Sequence, residues 1–129
     1  MITRSYESSM EKRKTGPMEI STETRNGALI ARAEGRIDGA NARDFESAVQ
    51  TAARDCEGAV IIDCENLSYI SSAGLRAILL IAKTLGKRKV KFALCSLSEP
   101  IAEIFQISGF DQIISTHSSR DEALAAVDS

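Results

Sequence analysis

At 129 residues and 13.9 kDa the chain has room for one domain around one core. Sixteen basic and eighteen acidic residues leave a formal net charge of -2 with no basic stripe interleaved with aromatics, which excludes a nucleic-acid surface. The longest apolar run, Ala77 to Ala82, is too short to span a bilayer, so no membrane insertion is expected.

Met1 to Pro17 mixes charge and serine without periodicity and is read as a flexible tail, locally basic at Arg4, Lys12, Arg13 and Lys14. The opening lacks the charged-then-apolar order of a signal peptide, and the expected location is cytoplasmic. Glu19 to Arg25 alternates loosely and runs into Asn26-Gly27, the strongest short hairpin signal in the chain. Ala28 to Ile37 supplies the second strand, with Leu29, Ala31 and Ala33 on one side and Ile30, Arg32 and Glu34 on the other. Gly35 and Asp38-Gly39 then turn the chain into a helix expected from Asn41 to Cys56, with Ala42, Phe45, Ala48, Val49 and Ala52 inward.

The apolar run Ala59, Val60, Ile61, Ile62 ends at Asp63, the pattern of a strand covered on both faces. A loop carrying Asn66, Ser68, Ser71 and Ser72 follows. A helix is expected from about Ser72 to Gly86, its inner face Leu75, Ile78, Leu79, Ala82 and Leu85, its outer face Arg76, Lys83 and Lys87. Either Ser71 or Ser72 can cap this helix, and the small residues Ala73 and Gly74 leave its first backbone N–H groups open to an anion. Lys89 to Cys95 is the next strand, and Ser98 opens a third helix that runs to about Ile107. Ile113 and Ile114 are expected to form a short last strand, and Ser119 with Glu122 makes a capping box for a final helix through Val127. The pattern predicts an α/β domain over 18–129: a mixed five-stranded sheet opened by an antiparallel hairpin and flanked by about four helices.

Cys56, Cys64 and Cys95 show no paired spacing, and His117, the single histidine, falls in an expected loop. No disulfide framework, metal site or cofactor is expected. An enzyme is not expected either: Ser72 lacks the Gly-x-Ser-x-Gly elbow of a serine hydrolase, so no residue is assigned a catalytic role.

The run Leu67-Ser68-Tyr69-Ile70-Ser71-Ser72-Ala73-Gly74-Leu75-Arg76 resembles the central motif of STAS domains, the family of bacterial anti-anti-sigma factors. Ala33-Glu34-Gly35-Arg36-Ile37-Asp38 followed by Ala40-Asn41-Ala42 is similar to the family's turn into its first helix. Ile107-Ser108-Gly109-Phe110-Asp111 and Ser119-Arg120-Asp121-Glu122-Ala123 resemble its third-helix exit and last-helix entry. The resemblance implies an anti-sigma factor antagonist that binds an anti-sigma factor acting also as its serine kinase, and so frees a sigma factor. It implies Ser72 as the phosphorylated residue whose modification switches binding off, with room for a serine phosphatase to reverse it, in a monomer or weak dimer. The expected partner face is Asp38, Ser71, Ser72, Ala73, Gly74, Arg76 and Leu80, the last an apolar residue on its helix's polar stripe. Many family members carry an aspartate before the serine and a serine or threonine after it; here Ser71 and Ala73 stand there. That departure motivates the alternative of a non-phosphorylated STAS scaffold or regulatory subunit in a signalling or membrane transport complex.

Overall fold

The computed structural model describes residues 11–15 and 18–128. Among these, Glu11–Thr15 (β1), Met18–Arg25 (β2) and Ala28–Ile37 (β3) pair antiparallel in succession. Ala59–Asp63 (β4), Lys91–Cys95 (β6) and Ser115–His117 (β7) then extend the sheet in parallel from β3. Leu67–Ile70 (β5) pairs with β3 beyond the end of β4, which completes a seven-stranded mixed sheet. The helices are Ala42–Ala52 (α1), Ser72–Lys87 (α2), Glu99–Ser108 (α3) and Arg120–Asp128 (α4). The fold class, the opening hairpin and the four helices are those expected from the sequence.

Local chemistry explains the framework. Asn26 and Gly27 both take positive φ, 53° and 81°, the mirror-image turn whose twist matches a right-handed strand pair, so β2 and β3 meet in register from Arg25 opposite Ala28. All five residues of β4 are buried because helices cover both faces of the sheet. On one face α1, α2 and α3 contribute Phe45, Val49, Ile78, Ile81, Leu85, Ile101 and Phe105 to the larger core. On the other, α4 packs on β4, β6 and β7 and closes a smaller core with Ala123 among Ile30, Ile61 and Ala93. Burying a side chain such as Ile81 or Leu85 contributes about 1.5–3 kcal/mol, so α2 is fixed along its length.

Several expectations are corrected. Glu11–Thr15, inside the segment read as a flexible tail, is strand β1; the rest of Met1 to Pro17 lies outside the described residues. Such a strand needs only main-chain bonds to the open edge of β2, so it leaves no apolar pattern to read. Leu67–Ile70 is a strand rather than loop, held at the sheet end by its ladder with β3 and by Ser68 Oγ donating to the Gly35 carbonyl at 2.9 Å. These two additions turn five strands into seven. The last strand falls at Ser115–His117, which includes His117, because a 3-10 turn at Phe110–Gln112 precedes it and leaves Ile113 65% exposed.

α1 ends at Ala52 rather than Cys56, and Arg88 takes up the carbonyls beyond it: its guanidinium donates to Ala53 O (3.0 Å), Arg54 O (3.1 Å) and Cys56 O (2.6 Å). Gly86 lies within α2 and not at its end; Lys89, with φ 61°, makes the reversal, and Val90 N donates to Leu85 O at 2.9 Å. The buried face of α2 is Gly74, Ala77, Ile78, Ile81 and Leu85, while Leu75 and Leu79 are half-buried. Six consecutive apolar residues from Ala77 fix a helix without fixing its rotation, so the sequence pattern was one position out of phase.

Candidate functional site

β5 delivers the chain to α2 with its end pinned. Ser71 N donates to Ile37 O at 2.9 Å, Ser71 O accepts from Leu75 N at 2.9 Å, and Ser71 Oγ accepts from Gly74 N at 3.2 Å. Ser71 is therefore the N-cap, in the extended backbone that position requires. Ser72 is the first helical residue, exposed, and among the described residues its hydroxyl has no hydrogen-bond partner. One serine's hydroxyl is bound by the fold, and its neighbour's is not hydrogen-bonded among the described residues.

Gly74 is set by packing. A Cβ there would lie 2.6 Å from Ile70 Cγ1 and 2.8 Å from Ile37 Cγ2, so the first turn of α2 sits directly on the β3–β5 ladder. It was expected among the surface contacts; it is buried, and its part is to fix the height of Ser72 and Ala73 above the sheet.

Asp38 stands at the matching entry to α1. Its Oδ1 accepts from Ala40 N (3.0 Å) and Asn41 N (3.2 Å), while Asn41 Oδ1 accepts from Asp38 N at 2.9 Å. Asn41, almost fully buried, also donates from Nδ2 to Arg36 O at 2.9 Å. This reciprocal knot, legible as Asp-x-x-Asn, holds the β3–α1 turn beside the start of α2. Asp38 shapes the rim of the site and does not line it.

Between α1 and α2 runs a groove of about 440 Å³ lined by Gly39, Ala42, Arg43 and Glu46 on one wall and by Ser72, Ala73, Arg76, Ala77 and Leu80 on the other. Ser72, Ala73, Arg76 and Leu80, four of the residues singled out from the sequence, thus share one surface. Leu80 is 41% exposed at its far end. Arg43 and Glu46 were missed; their signal is the i, i+3 spacing on the outer face of α1, which charged solvent-facing residues also show. Among the described residues neither Arg43 nor Arg76 forms an ion pair.

A second polar cavity, of about 650 Å³, lies at the carboxyl ends of the parallel strands, lined by residues that include Arg32, Asp63, Ser96, Ser119 and Arg120. Asp63 and Arg120 are already engaged there, while the buried Arg32 Nε has no hydrogen-bond partner among the described residues and lies 3.6 Å from Glu34 Oε2. Arg120 donates to Asp63 Oδ2 from Nη2 (2.9 Å) and Nε (3.2 Å), and Glu65 N donates to Asp63 Oδ1 at 3.1 Å. Burial opposes the Arg120 charge, yet the bonds and charge of Asp63, aided by Glu23, hold its pKa above the usual guanidinium value. Burial and the Asp63 charge push the Cys95 thiol up to about 11, and burial, Cys95 and Asp63 raise Cys64 further. Both are poor nucleophiles at neutral pH. Half of the expected capping box is present, with Glu122 N donating to Ser119 Oγ at 3.1 Å; the return bond is shifted by one residue, Ser118 N rather than Ser119 N donating to Glu122 Oε1 at 3.1 Å, and it lowers the Glu122 pKa.

Among the described residues no cluster of His, Cys, Asp or Glu is placed to hold a metal ion, and no helix is long and apolar enough to cross a membrane. The family model for the STAS domain matches residues 19–123. BtrV of Bordetella bronchiseptica, provisionally named an anti-sigma factor antagonist, is 38% identical over 109 residues, which cover 84% of this chain and 94% of that protein. An anti-sigma factor antagonist from Mycobacterium paratuberculosis superimposes with a TM-score of 0.81 at 23% identity, over 87% of this chain and 95% of its own. The Bacillus cell fate determinant SpoIIAA in its phosphorylated form does so with a TM-score of 0.65 at 21% identity, over 84% and 98%. The two structural likenesses carry the fold.

Proposed function

The chain belongs to the STAS domain family, and on that premise we propose that it is an anti-sigma factor antagonist switched by phosphorylation of Ser72. Unmodified, it docks the groove between α1 and α2 against an anti-sigma factor in the cytoplasm, and the bound sigma factor is released. The partner's own serine kinase activity transfers a phosphoryl group to Ser72 Oγ, and a serine phosphatase restores the hydroxyl. The observation that carries this reading is the division of labour at the head of α2: Ser71 serves the cap, and Ser72 is exposed beside the groove with its hydroxyl unengaged.

The physics of the switch follows from that placement. A phosphate adds about -1.5 to -2 charges at pH 7. The α2 dipole offsets only about 0.3–1 kcal/mol of the local cost, and the Ser72 hydroxyl makes no hydrogen bond among the described residues that modification would break. The domain therefore keeps its structure. A partner surface packed over Ala73 and Leu80 has to desolvate the dianion, and it dissociates.

The test is phosphopeptide mapping across Ser71 and Ser72 of protein purified from its native cells, beside binding of the two forms to the co-purified partner. The expected result is a mass increase of about 80 Da, the mass of one phosphoryl group, on Ser72 alone and lost affinity in that form. An unmodified Ser72 under every growth condition, in protein that co-purifies with a membrane complex, overturns the switch in favour of the scaffold reading.

A further inference from the structure

We propose that the phosphate on Ser72 is held within the protein itself, by the guanidinium groups of Arg76 and Arg43 across the groove, so that the modified chain fills its own docking site. The inference rests on Ser72 being the modified residue and concerns what happens to the group once it is there.

Three observations carry it. Arg76 follows Ser72 by four residues in α2, so the two side chains lie one above the other on one face, with Cβ atoms about 5–6 Å apart. Arg43 reaches the same groove from α1, a wall fixed independently by the Asp38–Asn41 knot at one end and the Arg88 carbonyl clamp at the other. Neither arginine is engaged: both lack an ion pair among the described residues, although Glu46 lines the same groove one turn from Arg43. Two free, planar, five-donor cations on opposite walls of a groove with a hydroxyl at its mouth suit a phosphate dianion, which each can meet with two parallel hydrogen bonds. Glu46 is the one carboxylate lining the groove, and it faces two arginines there.

The consequence is mechanistic. Repulsion alone makes the phosphorylated surface unattractive to the partner, whereas an internal clamp also removes the two cations and the space the partner uses. It also shields the phosphate ester, so hydrolysis by a phosphatase begins with opening of the clamp.

The test uses the full chain with phosphoserine inserted at position 72 during translation, so that no kinase is involved. The readout is a phosphorus NMR titration of that residue. The second ionisation of an unheld phosphoserine lies near 6. The clamp is expected to place the wild-type midpoint at least about half a unit below that of the Arg43→Ala/Arg76→Ala double variant, which keeps the α2 dipole, because opposite charges at hydrogen-bond distance favour the dianion. Arg76→Ala and Arg43→Ala each return part of the shift, and the double variant returns the arginine-dependent part and leaves only what the α2 dipole contributes. The lysine variants R43K and R76K keep the charge without the fork and recover part of the shift. Equal titration midpoints in the wild-type and double-variant chains, with unchanged circular dichroism, overturn the clamp. This outcome is separable from failure of the switch: a shifted midpoint with no phosphate in the cell removes the switch and leaves the clamp, and the reverse leaves the switch alone.

Discussion

Two helices of this protein begin at a pair of serines, and the two starts have opposite fates. At α4, Ser119 caps, Glu122 at the third helical position reaches back to accept from Ser118 N, and Arg120 at the first position binds buried Asp63. At α2, Ser71 caps in the same frame, but the third position is Gly74 and the first is Ser72, whose side chain makes no hydrogen bond among the described residues. A serine pair at a helix start is thus no site by itself. The first and third positions decide: filled by Arg and Glu they lock the helix to the sheet, and filled by Ser and Gly they leave one hydroxyl presented on a rigid base.

The largest effect is expected where the lock is broken. Arg120→Met leaves Asp63 buried with its Oδ2 charge uncompensated, and stability in urea should fall by about 3 kcal/mol, with partner affinity of the surviving folded protein unchanged. A variant of full stability and weakened binding instead would show that the two helix starts are not independent. At the open start, Gly74→Ala drives a methyl into Ile70 and Ile37, and a loss of about 1–3 kcal/mol is expected by the same measurement. Wild-type stability in that variant would mean that the first turn of α2 floats above the ladder. The smallest pair of effects divides the serines. Ser71→Ala should cost about 1 kcal/mol as a lost cap. Ser72→Ala should stay within about 0.5 kcal/mol of wild type and bind constitutively. Equal losses for both would erase the distinction on which the proposed switch depends.

Much of this was legible in the chain. The Asn26-Gly27 turn, the buried run before Asp63, the Ser119–Glu122 box and the serine-glycine start of α2 are local signals, each specified within a few residues of itself. What was not legible depends on contacts distant in sequence. β5 is a strand because β3 offers it a ladder more than thirty residues earlier in the chain. Gly74 reads as an open, accessible glycine until Ile37 is brought beneath it. Arg43 looks like any solvent-facing charge until α2 lies alongside and makes it one wall of a groove. The capping serine could not be chosen between Ser71 and Ser72 from spacing; the backbone bond from Ser71 N to Ile37 O chooses it.

The sheet's two borders bear on how this molecule meets others. Among the described residues one border is β1 and the other is β7, only three residues long. A three-residue stub such as β7 offers too few free amides to template a growing strand. Fibrous self-assembly, the standing hazard of an open sheet, is thereby suppressed at the β7 margin, which leaves the helix-covered faces as broad surfaces on which another chain can pack.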